Sequence, residues 1–165
     1  MKDLTVSTIE RQNVLNNRFA VEEIQRNLDL SAMLFEGEYW LTKKMVAEFY
    51  GVDISTIDRY LASHNDELKH NGYVLCKGKS LKAFKLQFAH LIHEASKTTQ
   101  LGLFNFKAFL NIGMLLTESE KAVALRSMIR EGGRSSSTEG MSVIFLQPSP
   151  KKIIERISPR SLANM

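Results

Sequence analysis

Apolar positions along the chain follow two periods, and the switches between them mark its elements. Phe19, Ala20, Ile24 and Leu28 recur every three to four residues, which predicts a short amphipathic helix over 19–28. In MLFEGEYWLT the period drops towards two, and residues 33–35 and 39–41 flank Glu36-Gly37, the signature of a tight hairpin. The stretch LTKKMVAEFYGVDISTIDRYL returns to helical spacing twice. Thr42 is the expected N-cap of a first helix, with Leu41 and Val46 as its hydrophobic staple and Met45, Val46 and Phe49 facing inward. Gly51 suits its end, where a left-handed backbone is cheapest in glycine. Asp53 is the expected N-cap of a second helix, placed to accept the amides of Ser55 or Thr56, with Ile57, Tyr60 and Leu61 inward.

Further along, NGYVLCKGKSLKAFKL suggests a two-stranded wing: a strand at 74–76, a turn at Lys77-Gly78-Lys79 and a return after Ser80. A helix is expected over 86–96, a break at KTTQLGLF, and a strongly apolar helix over about 105–116. Thr117 and Glu120 have the spacing of a capping box opening a last helix that turns Ala122, Leu125 and Ile129 inward. Past Arg130 come the Gly/Ser tract EGGRSSSTEG, all three prolines and one isolated strand-like run, MSVIFL. The expected fold class is mainly α with small β-hairpins (α+β). It divides into a flexible N-terminus at 1–17, a winged helix-turn-helix at 18–86, a helical region at 87–130 and a poorly ordered tail at 131–165.

The composition, 44% apolar and 24% charged over 165 residues, is that of a soluble globular protein. No apolar run nears the ~18 residues that cross a bilayer, and the N-terminus lacks an apolar signal core. With Cys76 the only cysteine, the expected setting is a reducing, cytoplasmic one. Charge is unevenly spread: residues 1–42 hold four Lys/Arg against seven Asp/Glu, residues 43–85 eight against five, and residues 121–165 eight against three. Basic segments favour a polyanion, because each phosphate neutralised releases condensed counterions.

A helix-turn-helix needs a small residue in its first helix, glycine at the turn and a branched apolar residue early in the second; Ala47, Gly51 and Ile57 meet these needs. The exposed start of the second helix would then face DNA. Arg59 is the expected donor to a base or phosphate, Ser55 and Thr56 add hydroxyls, and Lys43 and Lys44 sit where the first helix meets the backbone. Lys77, Lys79, Lys82 and Lys85 cluster on the predicted wing, while Asp53 and Asp58 subtract from the attraction. His90, His93 and Glu94 form too small a ligand set for a metal centre, with His64 and His70 the only other histidines. Cys76 reads as a packing residue. No phosphate loop, nucleophile elbow or paired acidic site is present. These features predict a protein without enzymatic activity, cofactor or small-molecule substrate. The apolar helix over 105–116 is expected in the core or at a homo-oligomer interface.

The stretch FEGEYWLTKKMVAEFYGVDISTIDRYLASHNDELKHNGYVL resembles the N-terminal region of bacterial and prophage RhuM-like DNA-binding proteins, related in style to phage antirepressor modules. KTTQLGLFNFKAFLNIGMLLTESEKAVALRSMI is similar to the segment that follows in such proteins, and the likeness covers roughly 17–129. The resemblance implies a winged-helix DNA-binding module joined to a helical part, with Ser55, Thr56 and Arg59 on the reading helix. Members of this kind usually continue past Ile129 with a further apolar stretch and another domain. The sequence after it here departs from that pattern and is expected to be a truncated, frameshifted or degenerate remnant of a mobile-element gene. Three functions stay open: a DNA-binding regulator, an antirepressor-like module that captures another regulator, and a non-catalytic fragment of a toxin-type protein.

Overall fold

The computed structural model describes residues 3–28, 30–89 and 97–131, and the backbone of 155–156. Within them the chain is α+β. Helices α1 (Thr8–Asn16) and α2 (Arg18–Asn27) lead into strands β1 (Ser31–Phe35) and β2 (Glu38–Thr42). Helices α3 (Lys43–Tyr50), α4 (Ile54–Ser63) and α5 (Asn65–His70) follow, then β3 (Tyr73–Lys77), α6 (Gly78–Phe88), β4 (Gln100–Phe104), α7 (Phe106–Leu115) and α8 (Glu120–Arg130). The strands form one antiparallel sheet in the order β3-β4-β2-β1, with the two-residue β5 (Glu155–Arg156) paired to Ser31 and Ala32 at its edge.

Each central strand is buried on both faces, and its period of two sorts side chains between two cores. Ala32, Tyr39, Leu41, Tyr73 and Phe104 enter the larger core with the helices α1–α5, α7 and α8. Met33, Phe35, Cys76 and Leu103 face the other way and meet Leu81, Phe84 and Phe88 of α6. The result is a sheet between α6 and a thicker helical layer.

Local chemistry accounts for the elements that match the expectation. The β1–β2 hairpin turns at Glu36 and Gly37, both at positive φ (51° and 81°), the backbone of a two-residue hairpin loop. Thr42 caps α3 by accepting the Met45 amide at 3.2 Å. Gly51, left-handed at φ 69°, ends that helix: its amide bonds to Glu48 O at 3.3 Å and the Val52 amide to Ala47 O at 3.0 Å.

Several expectations are corrected. Of the flexible leader expected at 1–17, residues 3–17 are not loose, since Leu4, Arg11, Val14 and Leu15 are buried and α1 packs on α7. Phe19 points outward, 69% exposed, so the buried stripe of α2 is Ile24, Gln25 and Leu28. The wing's return strand does not form. Leu81, Phe84 and Phe88 recur at helical spacing, and their burial on the sheet makes that segment α6. The partner of β3 is β4, formed by the stretch read as a break, whose Leu101 and Leu103 join one core and Phe104 the other. Because β4 lies between β3 and β2, residues on either side of the expected boundary at 86/87 share one sheet. Asp53 holds the N-cap position of α4, but its carboxylate makes no capping hydrogen bond. Ser119 rather than Thr117 caps α8: its hydroxyl accepts the Ala122 amide at 3.1 Å and donates to Tyr50 O at 2.6 Å, satisfying α3 as well. The apolar helix α7 is taken up inside the chain, with every residue from Ala108 to Leu115 buried. The remainder of the helix expected at 86–96, the MSVIFL strand and most of the 131–165 tail lie outside the described residues.

Candidate nucleic-acid interface

Helices α3 and α4, joined at Gly51, pack through the residues expected to shape the pair. Ala47 and Ile57 are buried between α3 and α4, and Gly51 makes the turn. Buried Ile57 and Leu61 hold α4 by its inner face, leaving Ile54, Ser55, Asp58 and Arg59 on the exposed side and Thr56 half-buried.

The sheet decides where the lysines stand. Strands β2 and β3 are both antiparallel to β4, hence parallel to each other, and Thr42 and Val74 are both opposite Leu103. Both strands therefore leave the sheet at the same end. There β2 passes directly into α3, whose first residues are Lys43 and Lys44, and β3 runs on through Lys77 into α6, whose first turn holds Lys79. The two strands are two spacings apart, about 10 Å. Lys44, Lys77, Lys79 and Lys82 are exposed, whereas the Lys85 ammonium donates to Thr98 O at 2.6 Å. Neither helix has an acid in its first turn, although the helix dipole favours acids there. Exposed lysines from two separate elements thus stand at one end of the sheet.

Two of the expected cations are engaged within the chain. Lys43 Nζ lies 2.8 Å from Asp58 Oδ1, which also fastens the middle of α4 to the start of α3. The Arg59 guanidinium donates to Glu118 in the α7–α8 connection, and its Cζ lies 5.3 Å from the centre of the Tyr60 ring. Tyr60 in turn donates to Glu118 Oε2 at 3.0 Å and accepts the Thr117 amide at 3.3 Å. Slight burial would raise the Glu118 pKa, but the hydrogen bonds from Tyr60 and Arg59 and the Arg59 charge outweigh it and hold the carboxyl below its ordinary range.

A second polar cluster, which spacing alone did not disclose, lies inside the molecule. Arg11 donates to both oxygens of Glu67 at 2.7 Å, and also to Leu4 O at 2.7 Å and Thr8 Oγ1 at 3.1 Å. Asn111 donates to Glu67 at 2.6 Å and accepts from Asn71 at 2.7 Å, and Gln12 pairs with Asn71. The cluster joins α1, α5 and α7. Its one visible signal was Asn111, a lone amide in the otherwise apolar run FLNIGML, since a buried amide needs partners.

Comparison with protein-family models, curated proteins and solved structures gives no match for this chain. Of the metal-ligand set considered, His90, His93 and Glu94 lie outside the described residues; among the described ones no group of three His, Cys, Asp or Glu is placed to hold a metal. Cys76 is buried in the smaller core, and burial followed by the charge of Glu36 pushes its thiol pKa up. No helix among the described residues is long and apolar enough to cross a membrane.

Proposed function

We propose that this chain is a DNA-binding regulator of the RhuM-like kind, non-enzymatic, with α4 entering a groove and lysines on either side gripping the backbone. Ser55, Thr56 and Arg59 face the bases or nearby phosphates, and Lys43, Lys44, Lys77 and Lys79 hold the duplex. The unit β3–α6 takes the place of a wing. One observation carries this reading: Lys43 and Lys44 emerge at the same end of the sheet as Lys77 and Lys79, and the Lys43–Asp58 contact brings α4 to that end.

The test is equilibrium binding of the full chain to random and genomic double-stranded DNA over a range of salt. Affinity should fall steeply as salt rises, and Arg59→Ala combined with Lys77→Ala should flatten the log–log slope by about 2. Absence of binding at low salt, both by wild type and by Glu118→Gln, which frees Arg59, defeats the proposal.

A second reading, an antirepressor-like interaction module, draws on a different surface. Val74 and Leu75, 40% and 44% exposed, lie on β3, the outer strand of the sheet. Undetectable DNA binding together with a stable protein complex that Leu75→Lys abolishes would favour it.

A further inference from the structure

Two cations that α3 and α4 would offer to DNA are each held by an acid of the same chain: Arg59 by Glu118 and Lys43 by Asp58. Fold stability supplies little reason for either pair. Ile57 and Leu61 already bury the inner face of α4, and exposed ion pairs contribute little to folding. Arg59 is 61% exposed and Glu118 42%, so water and salt reach both groups. Nor is Glu118 occupied in capping α8, since Ser119 does that. Glu118 is nevertheless held on its target. Tyr60 donates to its second oxygen, the neighbouring Thr117 amide bonds back to Tyr60, and the next residue, Ser119, is buried and anchored on Tyr50 O. A carboxylate so presented to a guanidinium offers the charge and the acceptor oxygens that a DNA phosphate would offer.

We propose that Glu118, aided by Asp58, is a built-in phosphate mimic that masks the reading helix and sets DNA affinity by competition. This rests on the DNA-binding reading above. A phosphate that reaches Arg59 must displace the Glu118 carboxylate, and one that reaches Lys43 must displace Asp58. Neutralising either acid frees a cation without altering the groups that contact DNA.

The experiment measures binding of the full chain to random-sequence double-stranded DNA at low and moderate salt, comparing wild type with Glu118→Gln and Asp58→Asn. Glutamine keeps an acceptor for Tyr60, and an unchanged unfolding midpoint establishes that the variant is folded. Each substitution should tighten binding about five-fold at low salt, the equivalent of one exposed pair. In an Arg59→Ala background the gain from Glu118→Gln should vanish, because nothing is left to unmask. Binding that is unchanged or weaker in both variants, while wild type binds, overturns the mask and leaves the DNA reading standing. A gain that persists without Arg59 also overturns it, since loss of negative charge alone would then suffice. No binding by wild type or either variant sinks both proposals together. No binding by wild type with binding by Glu118→Gln supports a complete mask.

Discussion

Two arginine–carboxylate pairs bridge similar lengths of chain, Arg11–Glu67 across 56 residues and Arg59–Glu118 across 59, yet they belong to different physics. The first is sealed, with side chains 2% and 12% exposed, and every remaining donor and acceptor around it is engaged by Leu4, Thr8 or Asn111. In such a place the Arg11 guanidinium has little water to fall back on, so the pair acts as a fastener for α1 and α5 on α7. The second is open to solvent and held by a hydroxyl neighbour, so either partner can exchange it for another ion at small cost. A buried pair therefore speaks of architecture, whereas an exposed one adds little to it.

The sharpest way to break this contrast is Arg11→Ala, which strands Glu67 without its counter-ion. Stability should fall by about 3–5 kcal/mol in denaturant unfolding. A loss no larger than that of Arg59→Ala would place the two pairs in one class.

Acid should tell the pairs apart next. Burial raises the Glu67 pKa, but the hydrogen bonds of Arg11 and Asn111 and the Arg11 charge outweigh it, so the folded value lies below the unfolded one. A depressed carboxyl stabilises the fold above its unfolded pKa, about 4.3. That stability is lost as pH falls through the folded value. Wild type should accordingly lose stability on acidification below about pH 4.3, and Glu67→Gln, though weaker at neutral pH, should show a shallower acid slope. Equal slopes would mean that Glu67 is not the group being titrated.

A smaller effect is expected from the Tyr50 hydroxyl, which donates to Phe109 O at 2.9 Å beneath the helix pair. Tyr50→Phe should cost about 1 kcal/mol, between the two pairs, as read from the midpoint of thermal unfolding. Smallest of all for folding is Arg59→Ala, within about 1 kcal/mol, while its DNA binding should weaken and its salt slope flatten by about 1. Strong destabilisation by that variant would reclassify the exposed pair as a fastener.

The parts legible in the sequence were those governed by neighbours along the chain. The turn at Glu36-Gly37, the Thr42 cap, the left-handed Gly51 and the buried positions Ala47 and Ile57 follow from steric and capping rules that act over a few residues. The lysine wing failed because Gly78 after a short strand resembles a hairpin turn, whereas Leu81, Phe84 and Phe88 obey the helical period that burial on the sheet rewards. Strand β4 was missed because QLGLF is short and carries a glycine, and only its place between β2 and β3 makes it a strand. Of the candidate site residues, Ser55, Thr56 and Arg59 could be set on α4 from periodicity, but the partners of Arg59 and Lys43 lie far off in sequence and could not.

By itself, then, the amino-acid order determined the paired helices α3 and α4, the hairpin before them and the apolar character of α7, because each depends on spacing within one or two turns. Tertiary structure alone decided that α7 lies buried in the larger core, and that two separated lysine pairs leave the sheet at one end. It also decided that Arg11 is locked by Glu67 while Arg59 is held by Glu118 in the open. Register across β4 and the depth of burial around each charge are properties of packed elements, and no local pattern carries them.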